Sequence, residues 1–326
     1  MQILVTGGAG YIGSVIANRL FCDGHEVVVI DDLRYGHRSA VPDQAEFHKV
    51  DIVDSRAVEE VFVQHQFEAV VHLAAEAAVG ESVIDPGKFY TVNVQGGINL
   101  LESMRRHGVE RLIFSSTAAI FGEPETVPIT EANSKNPVNS YGETKLAFER
   151  ALGWYRRAFG IRHVSFRYFN ACGATAHNGE DRVKETHLIP LLLQVVQGRR
   201  ENLTLFGTDY PTKDGSCVRD YVHVSDIARA HILGLQAIDE LGAEAFNLGS
   251  GMGYTNKEVI EVTRRVTGHD IPILEGERRG GDPAVLVAGF DHAKSVLGWS
   301  PQFTDLTQMV QSAWDWRLAF PNGYPK

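Results

Sequence analysis

Cysteine is scarce: three residues, Cys22, Cys172 and Cys217, in a chain of 326. They are odd in number and too far apart to form a CxxC pair, which argues against a disulfide framework or a zinc ribbon and predicts a chain without metal. A run of about 18 apolar residues, enough to span a membrane, is missing. So is any surplus of positive charge. Lys and Arg number 31 against 41 Asp and Glu, a net charge of −10, whereas a nucleic-acid surface needs a basic face. The opening residues, MQILVTGGAG, carry no basic stretch or small-residue cleavage site. The pattern therefore predicts no secretory leader and, with so few cysteines, a cytosolic protein. Internal repeats and low-complexity tracts are absent as well. Acidity does not exclude a small anionic ligand, because a few local arginines outweigh a screened global field. Two basic clusters lie in the second half, around Arg219 and at Arg278 and Arg279.

Hydrophobic content of 44% and charged content of 22% are ordinary for a globular protein. The length exceeds the roughly 250–300 residues at which one core stops growing, which predicts two lobes. In the first half, apolar runs at 3–5, 27–30, 69–73, 112–114 and 163–166 read as strands buried on both faces. Helical patterns separate them, such as Ile12, Val15, Ile16 and Leu20, ending near Gly24. This alternation predicts right-handed crossovers and an α/β fold, a Rossmann-type doubly wound parallel sheet. The second half is less regular. Helices are expected at 188–197, 225–237 and 256–267, and strands at 203–206, 218–224 and 245–248. The expectation is a smaller mixed α/β C-terminal lobe, with a division into 1–178 and 179–326 and a segment near 216–250 able to return to the Rossmann sheet.

After the first strand comes Gly7-Gly8-Ala9-Gly10-Tyr11-Ile12-Gly13, opening a helix pattern. Glycines let such a turn close, the backbone approach a pyrophosphate and the helix pack on the strand. The helix N-terminus then offers unpaired N–H groups to the phosphates. A glycine-rich stretch alone is weak; the strand–turn–helix context makes it specific. The next strand ends at Asp31, where an acid binds the adenosine ribose hydroxyls. A carboxylate there repels a 2′-phosphate and favours NAD over NADP, although Arg34 nearby argues the other way. Asp51 and Ile52, after the third strand, suit adenine contacts, but an acid in that place also serves as a helix cap.

Ser140 and Glu143 have capping-box spacing, so a helix is expected to begin in SYGETK. Tyr141 and Lys145 then stand at i and i+4 on one face. A free phenol has a pKa near 10, too high for a base at neutral pH. A neighbouring ammonium and an oxidised nicotinamide would both lower it, and Lys145 can hydrogen-bond the nicotinamide ribose. Tyr and Lys at this spacing are common on solvated helices; their place after a dinucleotide turn and several βα units gives them meaning. Ser115-Ser116-Thr117 follows the strand at 112–114. That is the carboxyl end of a parallel strand, where such sheets bind ligands. The hydroxyls of Ser115 and Thr117 could hold a reacting alcohol, or simply form a Ser/Thr turn.

Together these features resemble the extended short-chain dehydrogenases/reductases. End to end, the chain is similar to the sugar-nucleotide 4-epimerases of that family. The resemblance rests on TGGAGYIGS, GHRSAV after Asp31, AVGES at 78–82, SSTAAIFG at 115–122 and SYGETK at 140–145. It continues through RYFN at 167–170, HLIP at 187–190, FGTDYPTKDG at 206–215, VRDYVHVSDIA at 218–228 and RRGGDPA at 278–284. The resemblance implies an isomerase interconverting UDP-glucose and UDP-galactose. NAD, tightly bound and regenerated each cycle, would be held by residues 1–178 and the UDP-hexose by 179–326.

The resemblance also assigns roles. Leu73, Ala74 and Ala75 would form the loop over the dinucleotide, with Asn93 a further cofactor-side residue. Asn170, Arg219 and Arg279 would hold the phosphates and nearby sugar, through the directed pairing of guanidinium with phosphate. Tyr221 and Asp282 would lie near the uridine ribose, Thr204 and Phe206 at the uracil, and His187 and Leu188 on another nucleotide-contacting segment. Leu286, four residues after Asp282, falls where family members face the sugar's C2 substituent. Some members have lysine where this chain has Ala77. Family dimers imply a homodimer, with the segments at 100–106 and 145–159 as candidate pairing helices. Two rivals fit less well. Sugar-nucleotide 4,6-dehydratases carry an acid pair after the active-site Ser/Thr, whereas Thr117 is followed by Ala118 and Ala119. A non-catalytic NAD-binding regulator would need neither the Tyr/Lys pair nor a second phosphate-binding lobe.

Overall fold

The computed structural model describes residues 1–279 and 282–325; Gly280 and Gly281 of the RRGGDPA segment lie outside them. Seven strands form one parallel sheet: β1 (Gln2–Thr6), β2 (Glu26–Asp31), β3 (Glu46–Lys49), β4 (Ala69–His72), β5 (Arg111–Thr117) and β6 (Arg162–Tyr168), joined by β11 (Ala243–Leu248). The order across the sheet is β11-β6-β5-β4-β1-β2-β3. It reverses between β1 and β4, the switch point at which such sheets open a ligand crevice. β11 pairs in parallel with β6, so the chain returns to this sheet part-way through the second lobe, before α9 and α11 are added.

Strand alternation explains the layers. Ile3 and Val5 on β1 face one side, where α1 (Tyr11–Cys22) and, later in the chain, α8 (Val224–Leu241) add Val15, Ile16, Leu20, Ile227 and Leu235. Leu4, between them in sequence, faces the other side. There α2 (Ser55–Gln64), α5 (Gly97–Arg106) and α6 (Ser140–Phe159) contribute Val58, Phe62, Leu100, Met104 and Phe148. Each such side chain, fully withdrawn from water, contributes about 1.5–3 kcal/mol. Two single-turn helices, α3 (Val79–Ser82) and α4 (Pro86–Phe89), lie between β4 and α5.

The second lobe packs α7 (Leu188–Val196), α9 (Asn256–Thr267) and α11 (Leu306–Ala319) around Leu192, Leu193, Val259, Ile260, Met309 and Val310. α10 (Asp291–Leu297) returns to the larger core through Ala293 and Leu297. Short strands complete this lobe. β7 (Asn170–Cys172) pairs with β10 (Tyr221–His223), and β8 (Leu203–Phe206) with β13 (Ile273–Gly276). β9 (Val218–Arg219) lies between β12 (Tyr254–Thr255) and β14 (Val285–Leu286). No helix among the described residues is long and apolar enough to cross a membrane.

Two local expectations need correction. The strand expected over 218–224 is broken at Asp220. Its buried carboxylate accepts from the backbone N–H of Ser250, Gly251 and Ala288 at 2.7, 2.9 and 3.0 Å. A side chain gathering three N–H groups from two other segments splits one strand into β9 and β10. The capping box expected at Ser140 and Glu143 does not form. Asn139 caps α6, accepting from Gly142 N at 2.9 Å, while the Ser140 hydroxyl donates to the Ser82 carbonyl. Asn outranks neither Ser nor Asp as a cap by much, so one position decided between near-equals.

Candidate active site

The glycine turn shows why small residues are needed. Gly7 has φ +71°, and a Cβ on it would lie 2.6 Å from Ala74 N. A Cβ on Gly13 would lie 2.1 Å from the Gly7 carbonyl oxygen. α1 begins at Gly10 with no side-chain cap, so its first N–H groups remain free to meet an anion. At the end of β2, Asp31 accepts from Ala9 N at 3.1 Å and Leu33 N at 2.8 Å. Burial pushes its carboxyl up from the ordinary range, against those two N–H groups. These features fit a dinucleotide: a cradle that a Cβ would fill, an uncapped helix start and an acid at the ribose position.

Arg34, the residue that argued for NADP, is held by three carboxylates: Glu76 at 2.7 Å, Asp32 at 3.1 Å and Asp51 at 3.3 Å. Its charge is already matched, which leaves little for a 2′-phosphate. Asp51 does not cap α2; Asp54 does, accepting from Arg56 N and Ala57 N.

The turn opens into a cleft of about 1160 Å³ running between the lobes. Gly7, Gly10, Tyr11, Ile12, Gly13, Asp31, Asp51, Ile52 and the 73–75 loop line its cofactor end. Ser115, Thr117, Tyr141 and Lys145 line the middle, and Asn170, His187, Leu188, Thr204, Phe206, Arg219, Tyr221, Arg279, Asp282 and Leu286 the far end. Asn93 is the exception. It is buried behind the loop, where its amide bonds Glu76 N at 2.8 Å and both Glu76 O and Thr144 Oγ1 at 3.0 Å. It braces the 73–77 loop against α6. Ala77 lines the cleft and leaves it without the amine that some family members place there.

Lys145 is buried, with Nζ donating to the Ser115 carbonyl at 2.9 Å and lying 4.9 Å from the Phe114 ring centre. Burial lowers its pKa to about 7, against the nearby Glu149 carboxylate. An unfolded lysine titrates near 10.4, so between the two values the unfolded chain binds more protons and stability rises with pH. Relative to Lys145→Met, the cofactor-free chain should therefore gain roughly 1 kcal/mol per pH unit from about pH 7 to about pH 9. Urea midpoints of both proteins at each pH check this; parallel curves would contradict it.

Tyr141 differs from expectation. Burial raises its phenol, and the groups opposing that rise are the Thr117 hydroxyl and the charge of Arg182. The Lys145 ammonium is not among them, because it is itself partly discharged by burial. Arg182, in the loop before α7, carries no recognisable motif and was not anticipated. It pairs with buried Glu180 at 2.9 Å, which also meets His187 Nδ1 at 2.8 Å. Along β5 the hydroxyls alternate. Ser116 turns away to donate to Glu149 at 2.5 Å, and Glu149 in turn pairs with Arg167 at 2.7 Å. Thr117 Oγ1 accepts from Ala119 N at 3.1 Å. At the far end Arg219 pairs with Asp282, and the Arg279 guanidinium lies 4.1 Å from the Phe206 ring centre. The Tyr221 hydroxyl is buried without a hydrogen-bond partner among the described residues.

The sequence pattern of the NAD dependent epimerase/dehydratase family matches residues 3–249. The chain belongs to this family. A UDP-glucose 4-epimerase of Corynebacterium glutamicum is 51% identical over 314 residues, 96% of this chain and 95% of the relative. One from Halalkalibacterium halodurans is 48% identical over 327 residues, 99% of this chain and 98% of the relative. The crystal structure of the Bifidobacterium longum UDP-glucose 4-epimerase with NAD+ and UDP superposes with a TM-score of 0.94 at 34% identity, covering 99% of this chain and 100% of that one. The cofactor of the NAD dependent epimerase/dehydratase family fits the glycine cradle and Asp31 described above. The dehydratase half of the family name finds less support, since Ala118 and Ala119 stand at the cleft wall beside Thr117 where an acid pair would be needed.

Proposed function

We propose that this chain is a cytosolic enzyme that interconverts UDP-glucose and UDP-galactose by transient oxidation at sugar C4. The observation that carries the reading is one cleft joining the dinucleotide cradle, Tyr141 and Arg219. When bound, NAD supplies the hydride acceptor, and later the donor, for C4. Tyr141 takes the proton from the C4 hydroxyl and gives it back after the 4-ketose has turned over. Thr117 and Ser115 orient that oxygen, and Lys145 supports the cofactor ribose beside them. Arg219, Arg279 and Asn170 keep the UDP anchored, so remote binding energy retains an intermediate that must not escape. Thr204, Phe206, Tyr221, His187 and Leu188 hold the uridine end. UDP-galactose carrying deuterium at C4 should yield UDP-glucose with the label still on C4, read by mass spectrometry. Loss of the label to solvent would contradict redox chemistry at that carbon.

Leu286 sets the substrate range in this reading. It lies on β14 in register with Arg219, lines the cleft and packs on the cluster containing Ala118 and Phe121. Leucine is smaller than tyrosine, leaving partial room for an acetamido group. The wild type should act mainly on the UDP-glucose/UDP-galactose pair and measurably on the N-acetylated pair. Leu286→Tyr should suppress the second activity selectively, because a clash costs only the larger substrate. Equal loss of both activities, or no N-acetyl activity in the wild type, would remove Leu286 from this role. A homodimer is part of the proposal, pairing α5 and α6 across a surface where Trp154 is 66% and Phe159 48% exposed; sedimentation equilibrium distinguishes it from a monomer.

A further inference from the structure

Away from the cleft, three metal-binding side chains converge on the outer edge of the sheet. β3 is the last strand in the sheet order. Glu46 and His48 stand two residues apart on it, so their side chains project from the same face. His65 is the residue that ends α2. The Nε2 atoms of His48 and His65 lie 3.4 Å apart. Glu46 Oε1 lies 2.9 Å from the first and 3.5 Å from the second. None of the three lines the cleft, and the proposed reaction uses none of them.

Hydrogen bonding alone accounts poorly for this triangle. Neutral imidazole has one N–H and one lone pair, and an ionised carboxylate only accepts. If His48 donates from Nε2 to Glu46, that nitrogen has no lone pair left for His65, whose Nε2 then faces an N–H at 3.4 Å and has only Glu46, at 3.5 Å, as a partner. A cation at the centre would satisfy all three lone pairs at once. The spacing agrees. Ligands 2.0–2.1 Å from a tetrahedral zinc ion stand about 3.4 Å from one another, and the three separations bracket that distance. Imidazole suits zinc and its first-row neighbours, whereas calcium and magnesium prefer oxygen. The His65 ring is also fixed in place, stacked on Phe67 at 5.2 Å with 29° between planes. Glu46 is half exposed, which leaves the fourth position to water.

We propose that Glu46, His48 and His65 form a surface site for a zinc-like divalent cation that staples edge strand β3 to the end of α2. Bound there, the ion ties together the two elements flanking the segment that holds Asp51 and Ile52.

The test uses the purified, cofactor-containing chain, first stripped with a chelator and then titrated with zinc chloride. One ion per chain should bind saturably at micromolar zinc, and magnesium should not compete. Glu46→Gln should weaken binding at least about tenfold, the cost of losing even an outer-shell partner. The double variant His48→Gln, His65→Gln should abolish it while UDP-galactose conversion is retained, which shows that the variant has folded. Independently of any variant, wild type loaded with cobalt should show the visible bands of an imidazole-ligated ion. No uptake at micromolar zinc would overturn the proposal. So would uptake that survives in the double variant but is lost in His187→Asn, since the cluster of Glu180, Glu185 and His187 would then hold the ion.

Discussion

Tyr141→Phe should lower turnover about 10²–10⁴-fold, the range over which general acid–base catalysis contributes, and leave UDP affinity within a few-fold of wild type. The substitution removes one oxygen and keeps the ring, which packs edge-on to Phe89 with centres 6.5 Å apart. What it removes is the proposed proton carrier at the C4 hydroxyl. The residues proposed to hold UDP lie on other elements: Arg219 on β9, and Arg279 against Phe206 of β8. Measured kcat should therefore fall while a UDP titration barely changes. The direction of the phenol shift sharpens the expectation. Burial raises it in the chain alone, so positive charge added by bound groups would favour the phenolate. The variant's residual rate should for that reason show no dependence on pH in the range where the wild type titrates. Near-normal turnover would remove Tyr141 from the mechanism.

Gly13→Ala should release the dinucleotide. The added Cβ would sit 2.1 Å from the Gly7 carbonyl oxygen, a backbone atom that cannot swing aside as a side chain would. Gly7 O also accepts from Gly10 N at 3.2 Å, so moving it opens the turn that aims the N–H groups of α1 at the pyrophosphate. Denatured wild type should yield close to one NAD per chain, and the variant far less, by identifying and counting the released nucleotide. Mainly NADP from the wild type would sink the argument from Asp31 and from the three carboxylates on Arg34. Full retention of NAD by the variant would show that the turn tolerates a side chain.

β1, β2, β4, β5 and β6 were legible because each holds a short apolar run buried on both faces, a pattern written in consecutive residues, whereas edge strand β3 reads EFHK and buries none of its residues. The glycine turn and SYGETK were legible for the same reason: their chemistry lies within one turn of chain. Features built across the chain were not. Asp220 sits in a run that reads as strand, and only Ser250, Gly251 and Ala288 reveal why it breaks. The cap of α6 fell to Asn139, one residue before the expected serine, because two good caps stood side by side. Meanwhile α9 does carry a full capping box, from Thr255 and Glu258. Arg182 affects Tyr141 only through a loop whose path the sequence does not specify. His48 and His65 come together across a strand and a helix, 17 residues apart in sequence, so no local spacing marks them as a pair.

In the proposed reaction one chain, carrying its own cofactor, both oxidises and reduces the same sugar carbon. Purified protein should be freed of unbound nucleotide, mixed with UDP-galactose and no added NAD, and followed for UDP-glucose. Many turnovers per chain are expected, continuing to equilibrium, with no reduced cofactor or keto sugar accumulating in solution. A reaction that halts after one turnover until NAD is supplied, or that yields a 4-keto product instead of UDP-glucose, would contradict it.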